Sequence, residues 1–187
     1  MSSLDNNFLW KLKLALKVKI FLWLLHRGVI LTNKDNFARW NWHGNKKCCC
    51  CSNNKTIQHI FFECQMARLI WRIIHTTFGL LKPKNVIDMF GSWLQGVKWK
   101  EKNLILTGVS VVCWSIWLSR NDSVFDKLNT QSCLQLFFKA THWIRFWTLL
   151  QKQEAQDTVP GTCWALEITT IDIFAKNRWR FSNRLCL

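Results

Sequence analysis

The chain has 187 residues, with 26 Lys+Arg against 11 Asp+Glu and a formal net charge of +15. A chain of this length can bury one sizeable core, or one core plus a small metal-held module. Its 49% hydrophobic content is normal for a folded protein and excludes a disordered chain. Because there are only two prolines and seven glycines, long stretches are free to be helical. We therefore expect a mostly α-helical, globular protein.

The positive charge is concentrated in the first part of the chain. Residues 1–100 carry 16 Lys+Arg against 4 Asp+Glu, a net charge of +12, whereas residues 101–187 carry 10 against 7, a net charge of +3. Such a positive surface attracts phosphate backbones or anionic membranes, without specifying which bases or lipids are recognised.

Lysines alternate with apolar residues near the start of the chain, over residues 10–20. This alternation allows a strand over residues 10–14. Gly28, however, follows His26-Arg27, and a glycine after basic residues is typical of a helix C-terminus. This favours a helix over residues 16–26. That helix is too short and too basic to span a bilayer.

Apart from the cysteine-rich region, three further helices are predicted before residue 100. Thr32 and Asp35 are spaced like a capping box and predict a short helix through residues 37–39. Apolar residues recur at helical spacing over residues 66–78, and a modest helix that follows should end near Gly96.

Residues 103–119 contain no charged residue and reach the lower length limit for a transmembrane helix. Polar residues dilute this apolar segment, and Lys102 and Arg120 bound it tightly. We therefore predict a buried central helix rather than a membrane span.

A long amphipathic helix is predicted over residues 131–152, and five of its residues form a stripe that should face the core: Leu136, Ala140, Trp143, Trp147 and Leu150. Residues 151–157 and Pro160-Gly161 resemble a linker. A final helix is expected over residues 162–176, followed by a basic-aromatic cluster at residues 178–181.

The spacing of cysteine and histidine is the most specific chemical pattern in the sequence. Cys48, Cys51, His59 and Cys64 form the pattern C-x2-C-x7-H-x4-C, which supplies three thiolates and one imidazole. Four such ligands are enough to close a tetrahedral Zn²⁺ site. Closed sites are structural, because a catalytic zinc keeps one position open for water. The sequence therefore predicts one structural zinc ion.

The local context of the ligands is a turn followed by a short helix. Polar residues flank the first two cysteines, and residues 56–64 are predicted to be helical. His59 and Cys64 lie more than one turn apart on that helix. Binding both requires Cys64 at or past the last turn, with a break near Gln65 before the next helix.

Alternatives to this ligand set remain open. Cys49 or Cys50 could replace a neighbour, although the x2 spacing favours Cys48 with Cys51. A cysteine-rich turn without metal is the simplest alternative. A redox enzyme built on Cys48-x-x-Cys51 is a further one, but no surrounding βαβ pattern supports it.

Disulfide bonds are disfavoured. Nine is an odd number of cysteines, four of them are adjacent, and the start of the chain lacks the basic region of a secretory signal. We expect reduced thiols and an intracellular protein, nuclear or cytoplasmic and not secreted. Four cysteines without ligand-like spacing are assigned to packing: Cys113, Cys133, Cys163 and Cys186.

These elements predict three regions. Residues 1–80 hold basic N-terminal helices and the zinc module, which is expected to pack against a helical bundle. Residues 81–155 form a helical region with the buried central helix, and residues 156–187 form the C-terminal helix and its tail.

Three stretches in the same order resemble the zinc-binding domain at the C-terminal end of plant LINE-type reverse transcriptases, from non-LTR retrotransposons. The first is the segment from Lys17 to Leu25, followed by Ile30-Leu31-Thr32 and Asp35-Asn36. The second is the zinc pattern, with His59 to Cys64 and a helical Trp71. The third is Trp114-x2-Trp117-x2-Arg120-Asn121-x3-Phe125. The sequence departs from the family at Ala15-Leu16 and Gln65, where proline is usual. Two further positions also depart from the family: a basic residue is common at the position of Trp40, and an apolar residue at the position of Cys50.

The resemblance implies a piece of a retroelement polyprotein without its enzymes. A reverse transcriptase needs paired aspartates in the turn after a tyrosine, and this chain has no tyrosine. Its Asp and Glu residues are scattered singly, so two-metal nuclease chemistry is also not expected. We predict that the protein is not an enzyme.

The leading functional hypothesis is a zinc-stabilised module that binds RNA or single-stranded DNA with low sequence preference. Cations and aromatic rings near the ligands would contact phosphates and stack on bases, and the predicted residues are Arg39, Trp40, Trp42, Lys46, Lys47 and Lys55. The alternative is a structural or protein-interaction module, in which Trp93 and Trp99 contact the polymerase domain of the parent polyprotein. No membrane and no small-molecule substrate are expected.

Overall fold

A computed structural model describes residues 7–30, 47–48, 51, 53–125, 132–151 and 153–176. The described residues form seven α-helices and one π-helical turn, in this order: α1 (Asn7–Lys11), α2 (Leu16–His26), the π turn (His59–Glu63), α3 (Gln65–Phe78), α4 (Val86–Phe90), α5 (Trp99–Phe125), α6 (Cys133–Thr148) and α7 (Gln153–Lys176). In these ranges there is no strand, only an isolated antiparallel bridge between Lys47 and Asn54. The mostly α-helical prediction is confirmed.

Helix boundaries follow local chemistry where capping residues are present. The helix predicted over residues 16–26 is α2, and the strand alternative over residues 10–14 is wrong. Helix α3 ends at Gly79, whose φ of 68° is left-handed and suits a residue without Cβ. Ser132 and Gln135 form a capping box that starts α6. The predicted helix through residues 37–39 and the tail cluster at residues 178–181 lie outside the described residues.

The helices share one buried apolar cluster that extends from Leu9 to Phe174. Helix α7 packs along α6 and also contacts α3, while α5 packs against α6 and α2. Leu106 and Val111 of α5 have no exposed surface, which confirms the buried central helix predicted over residues 103–119. Helix α5 is thus a core helix of the bundle, packed between α2 and α6.

Helix α5 nevertheless passes a simple test for a membrane span. Its segment Trp99–Asp122 is long and apolar enough to cross a bilayer by length and composition, and 56% of its most apolar window is buried inside the protein. Central helices of soluble proteins meet the same test. Its buried side chains are accounted for by packing against α2 and α6.

Two predictions about the C-terminal helices are wrong. The helix predicted to residue 152 ends at Thr148, so Leu150 is 53% exposed and does not belong to the core stripe. The linker predicted over residues 151–157 is largely the start of α7, which continues through Pro160 and Gly161. Pro160 has no N–H, so the Gln156 carbonyl oxygen loses its helical donor, and the ring of Pro160 lies on the exposed side of the helix.

Tertiary packing explains why α7 forms despite its proline. One side of the helix is buried against α6 and α3, and it comprises Val159, Cys163, Leu166, Thr170, Ile173 and Phe174. The Arg145 guanidinium of α6 donates two hydrogen bonds to the Glu167 carboxylate, at 2.6 and 2.8 Å. Thr141 also donates to Glu167. The hydrogen bonds from Arg145 hold the pKa of Glu167 below its usual value, although burial opposes this shift.

Replacing this carboxylate should make the stability of the protein less dependent on pH. Because the pKa of Glu167 is lowered on folding, the ion pair stabilises the protein above the ordinary glutamate pKa, and this contribution is lost as the pH falls through the lowered value. At pH 7 we expect Glu167→Gln to lower the free energy of unfolding by about 1 kcal/mol, since the pair is partly exposed.

Urea unfolding of Glu167→Gln and the parent chain between pH 3 and 7 checks this expectation. The difference between the two proteins should shrink towards the acidic end. Asp172→Asn is the matched control, because Asp172 pairs with Lys176 on the exposed surface of the same helix. A difference for Glu167→Gln that is constant with pH would contradict the role assigned to the ion pair.

Candidate metal centre

A short loop carries the first two predicted ligands. The bridge between Lys47 and Asn54 closes this loop, and the Cys48 N–H donates a hydrogen bond of 2.8 Å to the Asn53 carbonyl oxygen. Cys48 and Cys51 are therefore held on a tight loop beside the helical segment, and both are half-buried.

The other two ligands lie at the ends of the π turn, since His59 is its first residue and Cys64 follows its last. The Thr56 hydroxyl accepts a hydrogen bond of 3.0 Å from the His59 N–H near the start of the segment. At its end, the Cys64 N–H donates to the His59 carbonyl oxygen at 2.7 Å, an i→i+5 bond. In a regular α-helix, residues five apart differ by about 140° around the axis. The wider turn brings Cys64 back over His59, so both side chains can face the same ion.

The chain leaves the helical conformation at Cys64. Its backbone angles, φ −56° and ψ 148°, are extended, and α3 begins at the next residue, Gln65. This break was predicted from the x4 spacing, and the structure confirms it. The π turn was not predicted, because the residues from His59 to Glu63 are compatible with an ordinary α-helical turn.

The four predicted ligands converge on one point. Their ligand atoms, three Sγ atoms and one histidine nitrogen, all lie within 4.8 Å of one another. In a tetrahedral site with the usual Zn–S and Zn–N bond lengths, two sulfurs lie about 3.8 Å apart and a sulfur and a nitrogen about 3.6 Å apart. The Cys48–Cys64 Sγ distance is 3.7 Å, and the Cys51 Sγ to His59 Nε2 distance is 3.0 Å. The donor set fits one Zn²⁺ after a shift of a few tenths of an ångström at the shorter pair.

Burial of the ligands suits a structural metal. His59 and Cys64 are each 4% exposed. Burial raises the pKa of the Cys51 thiol above its usual value, so a metal ion has to displace the thiol proton as it binds. With four protein donors the coordination shell is closed to substrate and to water. Such a centre holds the loop and the π turn together and has no open position for catalysis.

Two side chains outside the ligand set support the π turn. The Trp71 indole N–H donates a buried hydrogen bond of 2.9 Å to the Phe61 carbonyl oxygen, and the Trp71 ring stacks on Phe62 at 6.0 Å between centroids. The Lys82 ammonium donates to the Phe62 carbonyl oxygen at 3.3 Å. Both carbonyls lie near the end of the turn, where they would otherwise lack partners. Trp71 is itself fixed by an edge-on contact with Trp93 at 5.6 Å.

The turn is anchored to the helical bundle by aromatic packing. Phe21 of α2 contacts Phe61 of the π turn at 6.2 Å and Trp114 of α5 at 5.2 Å between ring centroids. Trp117 lies 6.0 Å from Phe21, and the Arg120 guanidinium lies 5.1 Å above the Trp117 ring. The three stretches that were singled out in the sequence therefore meet in space around Phe21.

Other predicted site residues differ in their placement. Lys47 is exposed beside the loop, whereas Lys55 is only 7% exposed, so its side chain offers little surface to a phosphate. Arg39, Trp40, Trp42 and Lys46 lie outside the described residues, as do Cys49 and Cys50. Trp93 is half-buried and donates to the Leu81 carbonyl oxygen at 2.6 Å, whereas Trp99 is 55% exposed.

The remaining described cysteines are packing residues, as predicted. Cys113, Cys133 and Cys163 are buried free thiols, and burial raises their pKa to about 12, 12 and 11. At neutral pH they are protonated, so they do not compete for the metal. Cys186 lies outside the described residues.

Comparison with known proteins agrees with this geometry. Residues 2–71 match a family described as zinc-binding in reverse transcriptase. The match covers less than half of the chain, contains all four ligands and ends at Trp71. It supports a reverse-transcriptase zinc-binding domain in this region, which is an accessory domain and not the catalytic one. Together with the four-donor cluster, the match confirms the prediction of one zinc ion. No curated protein and no solved structure matches the chain.

Sequence reasoning missed the supporting role of Trp71 and Lys82. The sequence places Trp71 on the apolar face of the helix predicted over residues 66–78 and in the stretch that resembles the family. Its position near the middle of an amphipathic helix is typical of a core residue, and no local pattern shows that its indole N–H reaches a carbonyl ten residues earlier. Lys82 lies in a loop, and only the tertiary structure shows its contact with the π turn.

Serine variants of the four adjacent cysteines, residues 48–51, should distinguish metal ligands from cysteines that do not bind the metal. We expect the purified parent protein to hold one zinc per chain, because one four-donor cluster is present in the described residues. Cys48→Ser and Cys51→Ser should lose most of that zinc, since each removes a thiolate. Cys49→Ser and Cys50→Ser are matched controls and should retain it. Metal content by mass spectrometry checks this, and loss of zinc from Cys49→Ser with retention in Cys48→Ser would reassign the ligand.

Removing the indole N–H of Trp71 should weaken metal binding without removing a ligand. Groups that support ligands from outside the coordination shell typically change metal affinity by about 10- to 100-fold. We expect Trp71→Phe to lower the zinc affinity by an amount in that range, measured by competition with a chromophoric chelator.

Trp93→Phe is the matched control, since its indole hydrogen bond goes to Leu81 and not to the π turn. Equal zinc affinities for both variants and the parent would show that the Trp71 hydrogen bond does not position the ligands. Far-ultraviolet circular dichroism of each variant establishes that the helices are retained.

Proposed function

We propose that this chain is a non-catalytic zinc-binding domain of a LINE-type retroelement polyprotein that binds RNA or single-stranded DNA with low sequence preference. The observation that carries the proposal is a closed four-donor metal cluster bordered by exposed cations. A closed cluster supports a fold rather than a reaction, and cations beside it supply contacts for a phosphate backbone.

Three lysines are placed around the metal centre by contacts of their own backbone or side chain. Lys47 belongs to the bridge that closes the cysteine loop, and Lys82 contacts the end of the π turn. The Lys84 carbonyl oxygen accepts a hydrogen bond of 2.9 Å from the Gln58 side chain, next to His59. All three lysines are exposed. A metal ion that orders the turn therefore also orders the positions from which these cations project.

The surrounding charge supports a polyanionic partner. Residues 1–100 carry a net charge of +12, and Arg68 and Arg72 are exposed on α3, directly after the π turn. Asp88 accepts a hydrogen bond from the Lys84 N–H, and Glu63 is an exposed residue of the π turn itself, so two carboxylates partly offset the charge of these cations. The balance around the metal centre remains positive, as long-range attraction of phosphates requires.

A low sequence preference follows from the kind of contacts available. Lysine contacts with phosphates carry no base information, and stacking on aromatic rings tolerates any base. The predicted residues Arg39, Trp40, Trp42 and Lys46 would add such contacts directly upstream of the cysteine loop. As part of a polyprotein, the domain would hold its nucleic acid near the polymerase domain, inside the cell.

The proposal predicts a salt-dependent affinity that the lysines at the metal centre control. For single strands, the logarithm of the binding constant falls with the logarithm of salt concentration with a slope of about −0.7 per neutralised phosphate. Replacing Lys47 and Lys84 by Gln together should weaken binding to a labelled oligouridine. The slope should also become less steep by about 1.4. Fluorescence anisotropy over a salt series measures both effects.

Lys176→Gln is the control for this titration, because Lys176 is exposed and pairs with Asp172 at the end of α7. It should leave affinity and slope nearly unchanged. If the zinc-loaded parent shows no salt-dependent binding to RNA or single-stranded DNA, the proposal is wrong. Aggregation of the zinc-loaded protein that is unaffected by RNA would instead support the protein-interaction alternative, for which Trp99 offers an exposed ring.

A further inference from the structure

Lys17 of α2 and Trp143 of α6 meet at the surface of the protein. This contact is flanked in sequence by exposed residues, and together they define a surface that we call the seam: Lys13, Leu16, Lys17, Phe146, Leu149 and Leu150. The Lys17 ammonium lies 5.3 Å from the centre of the Trp143 ring, and the Gln151 side chain donates a hydrogen bond of 2.9 Å to the Lys13 carbonyl oxygen. These two contacts bring the start of α2 next to the end of α6. The seam involves none of the metal ligands.

The apolar residues of the seam are unusually exposed. Phe146 is 55% exposed, Leu149 70% and Leu150 53% on the α6 side, and Leu16 is 65% exposed on the α2 side. Trp143 contacts Phe146 edge-on at 5.9 Å and stacks on Trp147 at 5.3 Å, so the half-buried Trp143 ring connects the surface to the core. Exposed rings that are held by a packed neighbour provide a rigid surface for stacking.

The two segments that form the seam contain no acidic residue, and the nearest described carboxylate in the sequence is Asp157 at the start of α7. Residues 7–30 and 132–151 contain no Asp or Glu, whereas the first of these ranges contains four lysines and an arginine. The two cations of α6 pair elsewhere, Lys139 with Asp122 and Arg145 with Glu167. The lysines of the α2 side are therefore the charges that face the exposed rings, and they complement a polyanion.

From this juxtaposition we infer that the seam between α2 and α6 is a binding surface for single-stranded nucleic acid, separate from the metal centre. Lys13 and Lys17 contact phosphates, and Phe146 stacks on an unpaired base. The inference rests on the proposed function and locates a second contact surface for the same partner. Helices that lie on membranes separate their charged face from their apolar face. Here Lys17 lies directly over an aromatic ring, which favours stacked bases over a lipid surface.

Substitutions within the seam test this inference on the zinc-loaded full chain. We expect Phe146→Ala and Lys17→Gln each to weaken binding to a labelled oligouridine about fivefold or more, as loss of one stacked base or one phosphate contact does. Trp164→Ala and Lys176→Gln are the matched controls, since Trp164 is a 62% exposed ring on α7 and Lys176 an exposed lysine there. Both controls should bind as the parent does.

A second measurement locates the contact directly. An oligouridine that contains 4-thiouridine should crosslink on irradiation to peptides that hold Lys17 or Phe146, as identified by mass spectrometry. Crosslinks confined to the cysteine loop, with normal binding by both seam variants, would overturn the inference and leave the proposed function intact. Absence of any binding by the parent would instead reject the proposed function.

Binding to vesicles of phosphatidylserine and phosphatidylcholine tests whether the seam instead recognises the anionic surface of a membrane. If Phe146→Ala and Lys17→Gln reduce vesicle binding and leave oligouridine binding unchanged, the seam is a lipid-binding surface and the inference is overturned. Reduced oligouridine binding, with crosslinks in the seam, supports it. Circular dichroism establishes that the variants keep the helical content of the parent.

Discussion

Convergence of His59 and Cys64 is the constraint on which the zinc module depends. Four intervening residues place these side chains on different sides of a regular α-helix, and the i→i+5 hydrogen bond of the π turn removes that difference. The wider turn leaves nearby carbonyl groups in need of donors. The Trp71 indole satisfies one of them, at Phe61, and thereby fixes the geometry that the metal requires.

The same region joins the zinc module to the helical bundle. Phe21 touches the π turn on one side and the tryptophans of α5 on the other. Metal binding and core packing are thus coupled, because both fix the position of the segment around Phe61. In such an arrangement the free energy of metal binding stabilises the fold, and the packed core in turn preorganises the donors.

Burial determines which of the lysine side chains near the metal centre are accessible to a polyanion such as a nucleic acid. Lys55 is close to the ligands in sequence, yet its side chain is covered, whereas Lys82 and Lys84 are distant in sequence and exposed beside the π turn. Charge counts along the chain therefore do not identify which lysines are exposed to a polyanion. Lys17 is a similar case, since only the fold brings it over the ring of Trp143.

The sequence by itself determined the features that depend on neighbouring residues. Ligand spacing, helical periodicity and the glycine after α3 specified the four metal donors, the all-α class and the boundaries of α2 and α3. Tertiary structure decided whatever depends on distant partners. It determined the π turn, the support from Trp71, and the path of α7 through Pro160, which local propensity disfavours. Long-range packing outweighed local preference there, because burying one side of α7 against α6 and α3 stabilises the helix more than one lost hydrogen bond destabilises it.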